Sequence, residues 1–118
     1  MCSKVYRIKR IYEPLAKTDG YRVLVERLWP RGVTKADAAL HEWLKDVAPS
    51  PDLRRWYGHD LARWEEFTER YRAELAEKRD ILDQLRALRR RGPVTLVFAA
   101  KDEQHSSAAV LKDVLEGD

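Results

Sequence analysis

Apolar and polar residues alternate from the start of the chain. Val5, Arg7, Lys9 and Ile11 fall on one side and Tyr6, Ile8 and Arg10 on the other, which predicts an exposed or edge strand over 5–11. Pro14 and the Asp19-Gly20 pair then mark a loop. A second strand follows over 21–28, where Val23-Leu24-Val25 implies burial on both faces, and Pro30 and Gly32 end it.

Thr34, with Asp37 three residues on, reads as the cap of a short helix over 36–40. Residues 41–47 fit an irregular strand. Ser50-Pro51-Asp52 opens a helix, since proline suits the first helical position, and Gly58 closes it after Tyr57. Asp60 caps the next.

No glycine or proline occurs from Leu61 to Arg91. Leu61, Trp64, Phe67, Tyr71 and Leu75 recur at helical spacing, and Leu82, Leu85 and Leu88 continue a similar stripe. Lys78-Arg79 interrupts the apolar face. One unbroken helix would be about 46 Å long. That overhangs a domain whose radius of gyration is roughly 13 Å, so a break is expected at 76–80. Gly92-Pro93 stops the second half. Residues 94–99 are apolar without alternation, as in a central parallel strand. Ala109, Val110, Val114 and Leu115 mark a last helix, ended by Gly117.

Helical connections between apolar strands predict a single-domain α/β sandwich over 1–118, with a small, at least partly parallel sheet flanked by helices. A length of 118 residues fits one domain with its own core. Open α/β sheets bind ligands beyond the carboxyl ends of their strands. Two such ends are visible, at 27–32 and 100–105, and parallel neighbouring strands would open both on one side.

Charged residues make up 36% of the chain, but the net charge is only +3, which gives weak support to a nucleic-acid partner. The longest apolar run, over 94–100, is too short to cross a membrane, and no apolar leader core is visible, so the expected address is cytoplasmic. Cys2 cannot pair within the chain and is a poor catalytic candidate at a terminus. Oligomeric state is not legible.

The stretches "RVLVERLWPRGVTK", "WLKDVAPSPDLRRWYGHD", "WEEFTERYRAEL" and "VTLVFAAKDEQHSSA" resemble the YeaO-like branch of domain-of-unknown-function family 488 over nearly the whole chain. The resemblance implies a small cytoplasmic α/β protein of bacterial or archaeal type and assigns no function. A larger, related branch carries a Cys-His-Arg run after its last strand. Here that place holds Gln104-His105-Ser106, so thiol chemistry does not carry over.

The candidate chemistry is cationic. Arg27 and Arg31 suit bidentate binding of phosphate or carboxylate, with Trp29 as a wall, and Lys45 reaches toward the same cleft. Lys101 and the start of the last helix would add to an anion site, with His105 and Asp102 as acid–base candidates and His59 as a weaker ligand contact. The alternative for each is structural: an ion-pair network around Arg27 and Arg31 with Trp29 in the core, and helix caps at Asp102 and Asp60. His41, His59 and His105 show no metal-ligand spacing, and no glycine-rich cofactor loop is present, so neither metal nor cofactor is expected.

The leading expectation is a cleft for a small anion, with enzymatic activity left open. The second is a nucleic-acid or regulatory module using Arg86, Arg89, Arg90 and Arg91 together with Arg54-Arg55-Trp56-Tyr57.

Overall fold

Strands β1 (Arg7–Arg10), β2 (Tyr21–Leu24), β3 (Glu42–Trp43) and β4 (Val94–Phe98) make one sheet in the order β1-β4-β2-β3, and every pair is parallel. These statements come from a computed structural model that describes residues 6–117; Cys2 and the Val5 end of the predicted first strand lie outside them. The helices are α1 (Lys35–Ala38), α2 (Pro51–Tyr57), α3 (Trp64–Ala76), α4 (Arg79–Arg91) and α5 (Ser107–Glu116). The α/β class is as expected, and the sheet is wholly parallel. β4 lies between β1 and β2 and is buried along its length, as its unbroken apolar run predicts.

The two faces of the sheet are unequal. Val23, Val25, Leu96 and Phe98 face the main core, which takes side chains from α2, α3, α4 and α5. Leu24 and Val97 face a smaller cluster of Ile11 and Ala38, edged by Trp29, Val33 and Trp43. Gly20 is required where β2 begins. Its φ is +65°, and a Cβ there would lie 2.3 Å from the Pro93 carbonyl oxygen, which accepts the Tyr21 N–H at 2.9 Å.

The expected helix break falls between Ala76 and Arg79. Lys78 does not interrupt an apolar face there. It leaves the helix line and donates to the carbonyls of Asp46 and Ala48. Thr34, Ser50 and Asp60 act as the predicted caps, accepting from Asp37, Leu53 and Ala62. Leu61 departs from the predicted stripe. It sits in a short 3-10 turn before α3, turned away from the core and 57% exposed.

The thinner face carries a buried charge cluster. Arg22 is 1% exposed and Asp19 3%. Arg22 Nη1 donates to Asp19 at 2.6 Å, and its other nitrogens donate to the carbonyls of Ala38 and Ala39. Lys9 reaches the same carboxylate at 3.0 Å. Burial works to raise the Asp19 pKa, but donors from Ala16, Lys9 and Arg22 outweigh it and hold the carboxyl below the usual range. Its stabilising effect is therefore complete above the ordinary value of 3.8 and lost as pH falls through the depressed one. Asp19→Asn leaves a guanidinium buried without its counter-charge. Urea titration should show a loss of about 3–5 kcal/mol, against less than about 0.5 kcal/mol for an exposed change such as Lys17→Ala. Equal losses for the two variants would contradict this role.

Candidate functional site

Because β2 and β4 are parallel neighbours, their carboxyl ends lie side by side. Leu24 pairs with Val97, and the ladder runs one step further where the Val25 N–H donates to the Val97 carbonyl at 3.0 Å. Glu26 comes next. Its carboxylate accepts the Ala99 N–H, so an acidic side chain stands just past the last rung of the two central strands. Burial pushes this carboxyl above the usual range, against the opposing pull of Arg54, the Ala99 N–H and His59.

Glu26 lines a cavity of 310 Å³ with Arg54 and Arg55 of α2, Tyr57, His59, Ala100, His105, and Ser106 and Ser107 at the start of α5. The α2 sequence sets this wall. Leu53 and Tyr57 fall on its buried face, which leaves Arg54 exposed at the opening. Arg54 forms no ion pair among the described residues and acts on Glu26 at longer range. Gly58 ends α2 in the left-handed region at φ 52°, and His59 follows there at φ 59°. A second left-handed residue that is not glycine costs about 1–2 kcal/mol. It is held by the Asp60 N–H, which donates to the Tyr57 carbonyl at 2.9 Å.

The loop after β4 orients the second histidine. Asp102 Oδ1 accepts the N–H groups of Gln104 and His105, and its Oδ2 accepts His105 Nδ1–H at 2.8 Å. That bond fixes the tautomer and leaves Nε2 as the second functional nitrogen. The edge of Trp64 packs on the ring with 5.1 Å between centroids. The hydrogen bond from His105 holds the Asp102 carboxyl below its usual range. Ser106 caps α5 through the Ala109 N–H and donates to the Glu103 carbonyl.

The structure divides the residues singled out in the sequence. His59, Lys101, Asp102 and His105 gather around a second cavity of 520 Å³ beside the first. Arg27, Trp29, Arg31 and Lys45 line neither cavity. Arg27 donates to the carbonyls of Ala48 and Pro49 at 3.2 and 3.4 Å and lies 3.9 Å from Asp46. Trp29 packs in the smaller core, donates to the Val33 carbonyl at 2.7 Å and meets the edge of Trp43. The Lys45 ammonium covers the Trp43 ring at 4.1 Å. Arg31 is exposed, and its carbonyl accepts the Tyr12 hydroxyl. Beyond Glu26 the chain turns so that Trp29 joins the thin face of the sheet, where Lys45 lies over Trp43, whereas Arg27 stays against the loop before α2.

Of the residues lining the first cavity, the sequence reading did not single out Glu26, and it placed Arg54 and Tyr57 in a nucleic-acid stretch and not in this cleft. The signal for Glu26 was a carboxylate directly after Val23-Leu24-Val25, a position that cannot leave the buried ladder far behind. At the end of α4, Arg86 donates to the Val114 carbonyl and Arg89 to that of Gly92, while Arg90 and Arg91 are exposed. Both Arg63 and Arg70 lie over the Trp56 ring. Among the described residues, no three His, Cys, Asp or Glu side chains are grouped to hold a metal ion, and no helix is long and apolar enough to cross a membrane.

Fold and site together define a parallel α/β domain with a polar cleft at the carboxyl ends of its two central strands. A family model described as "Inactive DUF488-N3 subclade" matches residues 5–118, and the chain belongs to that family. It is 42% identical over 107 residues to "Uncharacterized protein YeaO" of Escherichia coli K12, a match covering 91% of this chain and 93% of the relative. It is 46% identical over 111 residues to "Uncharacterized protein Rv3073c" of Mycobacterium tuberculosis, covering 94% and 93%. "Uncharacterized protein Mb3100c" of Mycobacterium bovis is equally similar. No solved structure matches.

Between its ordinary value of 4.5 and its raised value, Glu26 keeps a proton in the native state that the unfolded chain has released. Stability therefore falls as pH rises through that window. Glu26→Gln removes the slope. Melting curves should show the variant gaining on the wild type from pH 4.5 toward neutrality, and a constant difference across that range would contradict the assignment.

Proposed function

We propose that the chain binds a small anionic ligand of the phosphate or carboxylate class in the cleft beside Glu26. One observation carries the reading: an exposed guanidinium, that of Arg54, with no ion-pair partner among the described residues, shares a 310 Å³ cavity with two histidines and the first turn of α5. That volume is at the lower end of the roughly 300–1,000 Å³ typical of ligand sites, which suits a small group. Guanidinium binds oxyanions through paired, charge-assisted hydrogen bonds, and the positive end of α5 adds to the attraction.

A carboxyl in an anion site demands an explanation. Burial raises the Glu26 pKa and so weakens the repulsion that its carboxyl sets against a nearby anion. Anion binding and proton retention by Glu26 then support each other. The reading is one of binding without turnover. The word "inactive" in the subclade's description supports it, as does the absence of cysteine from the loop over 101–106. His105, oriented by Asp102, serves as a hydrogen-bonding partner for the ligand. Lys101 adds positive charge at the rim of the neighbouring cavity.

Sulfate keeps its charge across the working pH range and is a convenient probe. Added at constant ionic strength, it should raise the melting temperature of the wild type. Arg54→Ala should weaken sulfate binding roughly 10- to 100-fold, the loss of one charge-assisted contact. Arg90→Ala should leave it unchanged. Equal responses from the wild type and Arg54→Ala would remove the basis for this site.

A further inference from the structure

The two cavities share a wall. Tyr57, His59, Ala100 and His105 line both. On one side lie Glu26 and Arg54, and on the other Leu61 and Ala99, with Lys101 and Asp102 at the same cavity. We infer that the cleft takes a two-part organic anion, with its charged group beside Arg54 and an apolar arm, alkyl or aryl, lying across the His59–His105 saddle against Leu61. This rests on the anion reading above and specifies the ligand's second half.

Three features point to an apolar arm. Leu61 is 57% exposed at the second cavity, at the start of the short turn that leads into α3. An exposed leucine alone is ordinary, but this one stands at the mouth of a 520 Å³ hollow. The floor is made of small side chains, Ala99 and Ala100, at the end of β4, which leave room for a ligand above the strand. Aromatic surface completes it. Tyr57 stacks on Phe67 with 4.5 Å between ring centroids and lines both cavities. The left-handed conformation of His59 places that residue on the wall between the two hollows, at a backbone cost that the fold bears.

The polar groups fit the same division. Arg54 and Glu26 occupy the first cavity only, and Lys101 and Asp102 the second only, where they oppose one another in charge. A single anion therefore has its strongest partner on the Arg54 side, and the second side offers little to hold a second one.

Calorimetric titration of the full chain with inorganic phosphate and with methyl, ethyl, butyl and phenyl phosphate tests the inference. A parallel series of acetate, butyrate and benzoate tells which anionic group is preferred. Affinity should rise by up to about fourfold per added methylene, the equivalent of about 0.8 kcal/mol of apolar burial. Leu61→Ser should flatten the rise, bringing the butyl-to-methyl affinity ratio near one. Because Leu61 is exposed, the variant should melt with the wild type. Binding of every ligand with no dependence on the arm would overturn the two-part ligand while leaving the anion site standing. Binding of none of them, or binding indifferent to Arg54→Ala, would overturn both.

Discussion

The site depends on the parallel ladder between β2 and β4. Four residue pairs, Tyr21 with Val94 through Leu24 with Val97, set the register of the two central strands. The Val25 N–H extends the ladder by one bond. With the register fixed, Glu26 must emerge beside Ala99, and the following loop must leave β4 within reach of α2. A slip of one residue would reverse every side chain on β2. It would send Val23 and Val25 out of the main core and Arg22 into it. The apolar cost of that exchange holds the carboxylate in the cleft.

A second device fixes the cleft's other wall. The loop before α2 presents consecutive carbonyls, and side chains from elsewhere bind each one. Lys78 takes those of Asp46 and Ala48, the Tyr71 hydroxyl takes that of Val47 at 2.6 Å, and Arg27 takes those of Ala48 and Pro49. Glu74 accepts both the backbone N–H and the hydroxyl of Ser50. A loop so fully bonded leaves α2 one direction in which to start, which presents Arg54 to the cleft. Arg27 thus acts on the site from behind, by placing a wall.

Most elements could be read from local signals because those signals are short-range. Ser50-Pro51 and Gly58 bound α2 by capping chemistry, and the apolar run at 94–98 announced a central strand. The helix break followed from length and from a lysine where an apolar residue should be. That a cavity would open at the carboxyl ends of the central strands was also legible, since parallel neighbours open those ends together. The cationic cleft was read less well. Sequence spacing placed Arg27 and Arg31 at a strand end but could not show that the carbonyls of Ala48 and Pro49 take up Arg27 or that Arg31 lies away from both cavities. Arg54-Arg55-Trp56-Tyr57 suggested a nucleic-acid stripe, yet α2 splits it. Tyr57 is buried, Trp56 lies under two guanidiniums, Arg55 is tied to Asp52, and Arg54 is left exposed at the cavity without an ion pair among the described residues.

The proposed reading, binding without turnover, accords with membership of a subclade described as inactive. The central claim is one of position: the anion site lies at the carboxyl ends of β2 and β4. The most direct measurement is an amide nuclear magnetic resonance titration of labelled protein with sulfate. The account predicts that the largest shifts fall on His59, Ala99, Ala100 and Ser107. Shifts gathered instead on Arg90 and Arg91 at the end of α4, or spread without a centre, would contradict it.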